Sequence, residues 1–189
     1  MKLNSRLLIF TTIIVFIATL SKLLFAPRLE FAGFSPIIAI ALFAGMMIKE
    51  KKLSFLLPLL ALVISDSLIQ VFYLAGWFQF EGFYHFQWVN YGLLLLSTFI
   101  GWEMKGKNYS RILTGSVMAT TIFFLLSNAA VWAAHEGYQH PMTLRGLLAC
   151  LGDGLPFYKN SMIATLLYVP ALIATYNYFI KKSLSLKLV

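Results

Sequence analysis

Six long apolar runs, separated by short polar stretches, dominate the sequence. A helix needs roughly 20 predominantly apolar residues to cross the hydrocarbon core of a bilayer, and most of these runs approach or exceed that length. Only 12% of the 189 residues are charged, about half the fraction that is usual in a soluble domain. The sequence therefore predicts an all-α integral membrane protein, a six-helix bundle that forms a single transmembrane domain over residues 1–189. The predicted helices are 7–25, 34–48, 53–75, 86–102, 112–134 and 161–180.

Two of these runs need comment. The first follows Lys2 and Arg6 in the manner of a secretory signal, but no small-x-small cleavage site follows its core and its length suits a span, so we expect it to be helix 1. The second is short for a span. We therefore expect either a helix tilted into the bundle or a flanking loop that enters the membrane.

Lysine and arginine are divided unequally between the two sides that six crossings define. Positive residues mark the cytoplasmic side of a membrane protein, which places both termini in the cytoplasm. Clusters of this kind between apolar runs favour membrane orientation over nucleic-acid binding, despite a net charge of +8. The side of the termini holds Lys2, Arg6, Lys49, Lys51, Lys52, Lys105, Lys107, Arg111, Lys181, Lys182 and Lys187, and the other side holds Lys22, Arg28, Arg145 and Lys159.

Polar residues inside the apolar runs gather in the outer half of the predicted bundle. A carboxylate in hydrocarbon costs at least a few kcal/mol unless it is paired or hydrated, so Asp66 should face the interior or a wet cavity. No lysine or arginine is predicted at its depth, and its expected partners are amides, hydroxyls, water or a ligand. The alternative is a hydrogen bond between helices 3 and 5. The outer-half amides are Asn90, Asn128 and Asn160.

The three predicted outer loops, 26–33, 76–85 and 135–160, carry the remaining chemistry. The second is dense in aromatic residues, which indicates either an interfacial belt or the wall of a pocket. The third contains His135, Glu136 and Asp153 as possible acid and base groups. Its segment 142–151 predicts a short interfacial or re-entrant helix. Cys150 is the only cysteine, which excludes an internal disulfide, and a lone cysteine in an apolar run is usually a packing residue.

Several segments together resemble an uncharacterised bacterial family of transport proteins, which is similar to the substrate-binding S components of energy-coupling factor (ECF) vitamin transporters. The resemblance extends over nearly the whole chain. It is carried by FSPIIA at 34–39, ALFAG at 41–45, PL at 58–59 with Asp66, SNAAVW at 127–132, GLLAC at 146–150, and LPF at 155–157 with Asn160.

This resemblance implies an S-component-like protein of the bacterial inner membrane that takes up a small vitamin-type substrate from a pocket at the outer face. It also implies an energy-coupling module as partner, docked on small residues of helix 1. Here that helix offers only Ala18, between Ile14 and Lys22. The solitary cobalamin-transporting relatives are therefore the nearer comparison, and in them a cysteine ligates the corrin cobalt. Cys150 or His85 would take that role for a corrinoid.

The sequence thus predicts a nutrient-binding or transport protein, with the outer loops 76–85 and 135–160 as the lid of its pocket. Two alternatives remain: an accessory subunit of an envelope complex, with a filled interior, and a membrane enzyme that uses His135, Glu136 and Asp153. We expect no cofactor, no metal site and no nucleic-acid partner. The predicted substrate-binding residues are Asp66, Asn90, Asn128, Trp132, His135, Tyr158 and Asn160, with Trp132 and Tyr158 as walls.

Overall fold

All of the regular secondary structure in the described residues is helical. The computed structural model describes residues 5–25, 28–48, 50–85, 87–135 and 139–178. These residues form six α-helices and one short 3-10 turn, Leu29–Phe31, so the prediction of an all-α chain with six helices is confirmed. The helices are α1 (Ser5–Phe25), α2 (Ile37–Met47), α3 (Lys51–Leu74), α4 (Gln87–Met104), α5 (Tyr109–Ala133) and α6 (Leu144–Tyr176). The predicted limits at residues 86 and 180 lie outside the described residues.

Three of the helices, α3, α5 and α6, are long and apolar enough to cross a membrane, with 24, 25 and 33 residues. Large apolar side chains also point away from the core on several helices, among them Phe16 on α1, Val71 on α3 and Leu148 on α6. Contiguous exposed apolar surface is rare on soluble monomers and marks contact with a membrane or a partner. These observations indicate a membrane protein.

The short helix α2 lies at the centre of the fold. Ten consecutive residues, from Ile37 to Met46, are buried, whereas a surface helix buries only one stripe. It packs against α3, α4, α5 and α6. With 11 residues and a rise of ~1.5 Å per residue it is roughly 16 Å long, about half the thickness of a hydrocarbon core. Enclosure by its neighbours, with no lipid-facing side, accounts for its uniformly apolar sequence.

Close backbone contact joins α2 to α4. A Cβ atom added at Gly45 would overlap the carbonyl oxygen of Thr98, and one added at Gly101 would overlap the carbonyl oxygen of Leu42. Small residues at such positions let two helix backbones approach within van der Waals distance. The two glycines therefore fix the position of α2 against α4.

Helix α6 differs from the prediction, which placed a loop over residues 135–160, with a separate short helix at 142–151, and began helix 6 at Ser161. The structure shows one continuous helix from Leu144. Thr143 caps it, because its hydroxyl oxygen accepts a hydrogen bond from the Gly146 backbone N–H at 3.1 Å. Gly154, which sequence alone would associate with a break, instead lets α6 pack closely on the Asn128 side chain of α5. Tertiary packing thus outweighs the local helix-breaking preference.

Candidate functional site

A cavity of about 420 Å³ lies near the end at which α1, α3 and α5 finish and α4 begins. We call this space the inner cavity and this end the cavity end. All six helices contribute to its wall. The lining residues include Lys22, Ile37, Ile38, Leu62, Asp66, Gln87, Asn90, Tyr91, Leu94, Phe123, Ser127, Asn128, Val131, Phe157 and Ser161.

A second space of about 500 Å³, which we call the vestibule, adjoins the inner cavity. It lies between the α1–α2 loop and the α3–α4 loop, and Phe31, Phe34 and Phe80 form part of its wall. The vestibule and the inner cavity therefore meet at a common boundary, formed by the residues that line both: Lys22, Gly33, Ser35, Asp66, Tyr84 and Phe157.

A buried ion pair stands at this boundary. The Asp66 side chain is 1% exposed and its Oδ1 pairs with the Lys22 ammonium, whose side chain is 27% exposed. Asp66 Oδ2 accepts hydrogen bonds from the Gln87 amide and the Tyr91 hydroxyl. The Gln87 amide also donates to the Tyr91 hydroxyl oxygen at 3.0 Å. Both carboxylate oxygens are therefore occupied, and the cluster links α1, α3 and α4.

The expectation that Asp66 faces the interior is confirmed, but the expected absence of a cation at its depth was wrong. Lys22 belongs to the last turn of α1, and α1 packs against α3. A lysine side chain can extend along a helix surface and place its ammonium well away from its own Cα. The contacts of the Asp66 carboxylate are made with α1 and α4, and not with helix 5 as the alternative reading had proposed.

The α3–α4 loop is folded back onto α3 beside this cluster. Gln70 Oε1 accepts hydrogen bonds from the backbone N–H groups of Gly82, at 2.9 Å, and Phe83, at 3.1 Å. A Cβ atom at Gly82 would overlap the Asp66 carbonyl oxygen, so the loop lies directly on the α3 backbone. The Tyr84 backbone N–H donates to Gln87 Oε1 at 3.1 Å. These bonds hold Tyr84 at the boundary.

Asn160 holds the α1–α2 loop against α6. Its amide donates to the carbonyl oxygens of Glu30, at 2.8 Å, and Ala32, at 2.9 Å. The neighbouring Ser161 hydroxyl donates to the Gly33 carbonyl oxygen at 2.8 Å. Gly33 has φ +85° and lies so close to the Phe157 backbone that a side chain would overlap it. Asn160 therefore anchors the α1–α2 loop to α6 and does not itself line the cavity wall.

Asn90 and Asn128, two of the predicted substrate-binding residues, line the inner cavity. The Asn90 amide donates to the Tyr84 hydroxyl at 2.7 Å, and the Asn128 amide donates to the Phe124 carbonyl oxygen at 2.8 Å. Within the described part of the chain their side-chain carbonyl oxygens have no hydrogen-bond partner. Desolvation of the hydroxyl raises the pKa of Tyr84 above 10.0, and the hydrogen bond from Asn90 offsets only part of that rise. The Tyr84 hydroxyl is therefore neutral at physiological pH.

The structure places the two predicted wall residues between α5 and α6. The Trp132 indole N–H donates to the Pro141 carbonyl oxygen at 3.0 Å. The Tyr158 hydroxyl bonds to the Thr121 hydroxyl at 2.9 Å, and its ring lies 4.6 Å from the ring of Phe124. Neither residue lines the inner cavity, whose aromatic wall is formed by Tyr84, Tyr91, Phe123 and Phe157.

The remaining predicted groups lie apart from the inner cavity and the vestibule. His85 and His135 are exposed, and the buried Cys150 thiol donates to the Asn128 backbone carbonyl oxygen at 3.5 Å.

The predicted lid and the acid–base group are also arranged differently. The α1–α2 loop and the α3–α4 loop frame the cavity, whereas the described residues between α5 and α6 do not line it. Asp153 Oδ2 contacts His140 Nε2 at 2.6 Å, and Glu136 lies outside the described residues. Among the residues that the structure describes, no group of three His, Cys, Asp or Glu side chains is positioned to hold a metal ion.

Sequence reasoning missed Lys22, Gln87, Tyr91 and Ser35 as members of the site. A signal was available for two of them, because Gln87 and Tyr91 are four residues apart on one helix and so share a face. The Ser35 hydroxyl oxygen is buried at the boundary without a hydrogen-bond partner among the described residues. Ser35 precedes α2, so no helical periodicity in the sequence could mark it as a member of the site.

Comparison with known proteins gives one result. No curated protein and no solved structure matches the chain. A family model, described as a family of unknown function (DUF6580), matches residues 1–186, which is almost the whole length of 189 residues. The chain therefore belongs to the DUF6580 family of unknown function.

Proposed function

We propose that the protein binds a small nutrient-type molecule in the inner cavity and carries it across a bacterial inner membrane. The observation that supports this most directly is the cavity itself. Binding sites for small molecules are concave spaces of roughly 300–1,000 Å³, with mostly apolar walls and a few convergent polar groups. The inner cavity, of about 420 Å³, has apolar walls and converging amide and hydroxyl groups. A filled interior would have favoured an accessory subunit instead.

The proposed membrane topology has six crossings, with both termini in the cytoplasm. It rests on the excess of lysine and arginine on the side of the termini and on the lipid-facing apolar side chains. In this orientation the cavity end faces outwards. A ligand would then enter through the vestibule, between the two anchored loops, and pass the boundary formed by Lys22, Asp66, Ser35, Tyr84 and Phe157.

The proposed ligand is smaller than a corrinoid. A cavity of about 420 Å³ is at the lower end of the range for drug-sized ligands, and a corrin macrocycle with its side chains exceeds that size. Cys150 and His85, the two candidate cobalt ligands, lie outside the lining of the inner cavity. A compact vitamin-type molecule fits the space better.

The proposal also concerns whether a coupling module that supplies energy docks on α1. Ala18 and Ile14 are buried, at 0% and 1% exposure, so the small residue of α1 faces inwards. Docking of a coupling module on that residue would need α1 to rotate. We therefore propose that the chain acts without a partner docked on small residues of α1.

Thermal unfolding of the purified full-length protein in detergent tests the binding site. A ligand that binds only the folded state stabilises it by RT ln(1 + [L]/Kd), about 2.7 kcal/mol at 100 times Kd. In a panel of vitamins, we expect at least one compound to raise Tm. The shift should be lost in Ser127→Phe, which fills the cavity, and kept in Ser110→Phe, which places the same side chain on an exposed position of α5.

Two results would contradict the proposal. One is a Tm shift of equal size in both variants, which would place the bound compound outside the inner cavity. The other is the absence of any stabilising compound.

A further inference from the structure

From the charges at the boundary we infer that the ligand of the inner cavity carries no net charge and is a flat, polar ring compound with hydrogen-bond donors and acceptors. This inference rests on the proposed function, because it concerns the ligand of the same cavity. The observation behind it is that Lys22 and Asp66 already form an ion pair with each other.

The charges of the inner cavity are balanced before any ligand arrives. Among the described residues that line it, the charged ones are Lys22 and Asp66, and they form an ion pair. Within a largely apolar wall, an uncompensated charge is strongly unfavourable, because the effective dielectric constant is far below that of water. A ligand with a net charge would add such a charge.

A cationic ligand finds no uncompensated negative charge in the described wall of the inner cavity. Asp66 is the anionic residue among the described residues that line it, and its charge is already compensated: Oδ1 pairs with Lys22, and Oδ2 accepts hydrogen bonds from Gln87 and Tyr91. A cation would have to compete with Lys22 for this single carboxylate. The displaced ammonium, with 27% of its side chain exposed, would then be left beside the incoming charge.

An anionic ligand meets the opposite problem. It can approach the Lys22 ammonium, but Asp66 is already bound there, so two negative charges would share one positive charge. The vestibule adds Glu81 along the proposed route, and its carboxylate would repel an anion further. The balanced charges of the inner cavity therefore favour neither sign.

Neutral polar groups find complementary partners. The Lys22 ammonium has three N–H donors, of which one is directed to Asp66. Asn90 offers its side-chain carbonyl oxygen as an acceptor, and Ser35 offers a buried hydroxyl without a partner among the described residues. Tyr91 and Phe157 supply flat aromatic surface. Ring compounds stack on such surfaces, which favours a planar ligand.

Retention of compounds by the immobilised full-length protein tests this inference. The probe is an equimolar mixture of nicotinamide, nicotinate, pyridoxine, pyridoxal phosphate, riboflavin, riboflavin phosphate and thiamine, added to the small-molecule fraction of a rich bacterial growth medium. Bound compounds are released and identified by mass spectrometry, with Ser127→Phe as the blocked control and Ser110→Phe as the matched control. We expect the compounds retained by the wild type and by Ser110→Phe, but not by Ser127→Phe, to be uncharged.

The outcomes separate the inference from the proposed function. Retention of charged compounds at least tenfold above the blocked control would overturn the inference and leave the binding function standing. Retention of nothing above that control would contradict the binding function, and the inference with it. As a second readout, Asp66→Asn removes the negative charge and should shift retention at least tenfold towards the anionic member of a pair. The double variant Lys22→Met/Asp66→Asn should keep the preference for neutral compounds.

Discussion

At the scale of single residues, the Lys22–Asp66 pair joins α1 to α3 at the boundary of the inner cavity. Removing one member of a buried ion pair costs roughly 3–5 kcal/mol, because the other charge is left without compensation, whereas removing both costs much less. We therefore expect Lys22→Met to lower the free energy of unfolding by several kcal/mol. In Lys22→Met/Asp66→Asn most of that loss should be recovered, since Gln87 and Tyr91 can still bond to the amide.

Thermal unfolding of the single and double variants in detergent measures this difference. Equal destabilisation in both variants would mean that the charge pair contributes nothing beyond the packing of its side chains.

Asn128 gives a second prediction at this scale. Among the described residues its amide bonds to the Phe124 carbonyl oxygen of its own helix, so Asn128→Ala, which removes the amide without crowding Gly154 of α6, should change the stability little and reduce ligand binding at least tenfold. Asn160→Leu should do the reverse. That change removes two hydrogen bonds to the α1–α2 loop, each contributing about 1 kcal/mol. Comparing Tm with and without a stabilising ligand separates the two roles, and a destabilised Asn128→Ala with intact binding would refute this assignment.

The sequence predicted part of this residue network. Asp66 was identifiable because a carboxylate within an apolar run must have a partner in the interior. Lys22 was not, since counting positive charges assigns each lysine to the loop nearest its Cα and ignores the reach of the side chain. Asn160 was identified as important, but sequence cannot distinguish an amide that binds a ligand from one that anchors a loop.

At the scale of the helices, the contact between α2 and α4 provides a matched test. Gly101 and Gly92 lie on the same helix, but a Cβ atom would overlap the Leu42 carbonyl oxygen at Gly101 and meets open space at Gly92. Gly101→Ala should therefore destabilise the protein by roughly 1–3 kcal/mol through overpacking. Gly92→Ala should stabilise it by up to about 1 kcal/mol through helix propensity. Unfolding of both variants in detergent measures these changes, and similar effects at the two positions would rule out the close approach.

Helix α6 shows where prediction of elements from sequence failed. The first five helices begin and end within a few residues of the apolar runs, since helix surfaces that face the membrane or the protein interior are both apolar. In α6 the segment 144–160 combines Gly152, Gly154 and Pro156 with charged residues, which are typical loop signals. Its helical state depends on packing against α5, a contact distant in sequence, and this information is absent from a local window.

At the scale of the whole molecule, the proposed topology makes a direct prediction. Reporter enzymes that are active only in the cytoplasm should be active at either terminus. In a Cys150→Ala background, Gln79→Cys in the α3–α4 loop should react with a membrane-impermeant maleimide added to intact cells. Lys105→Cys, which is equally exposed but lies between α4 and α5, should react only after the cells are opened. Labelling of Lys105→Cys in intact cells would invert the topology.

The short central helix has a consequence for the whole molecule. Ile37 and Ile38, the first residues of α2, line the inner cavity, so the cavity borders the start of that helix. One turn of helix, roughly 10 Å wide and 5.4 Å long, occupies on the order of 400 Å³, close to the cavity volume of about 420 Å³. An additional turn at the start of α2 would bring further side chains to this border, so the shortness of the helix favours a space that can hold a guest molecule.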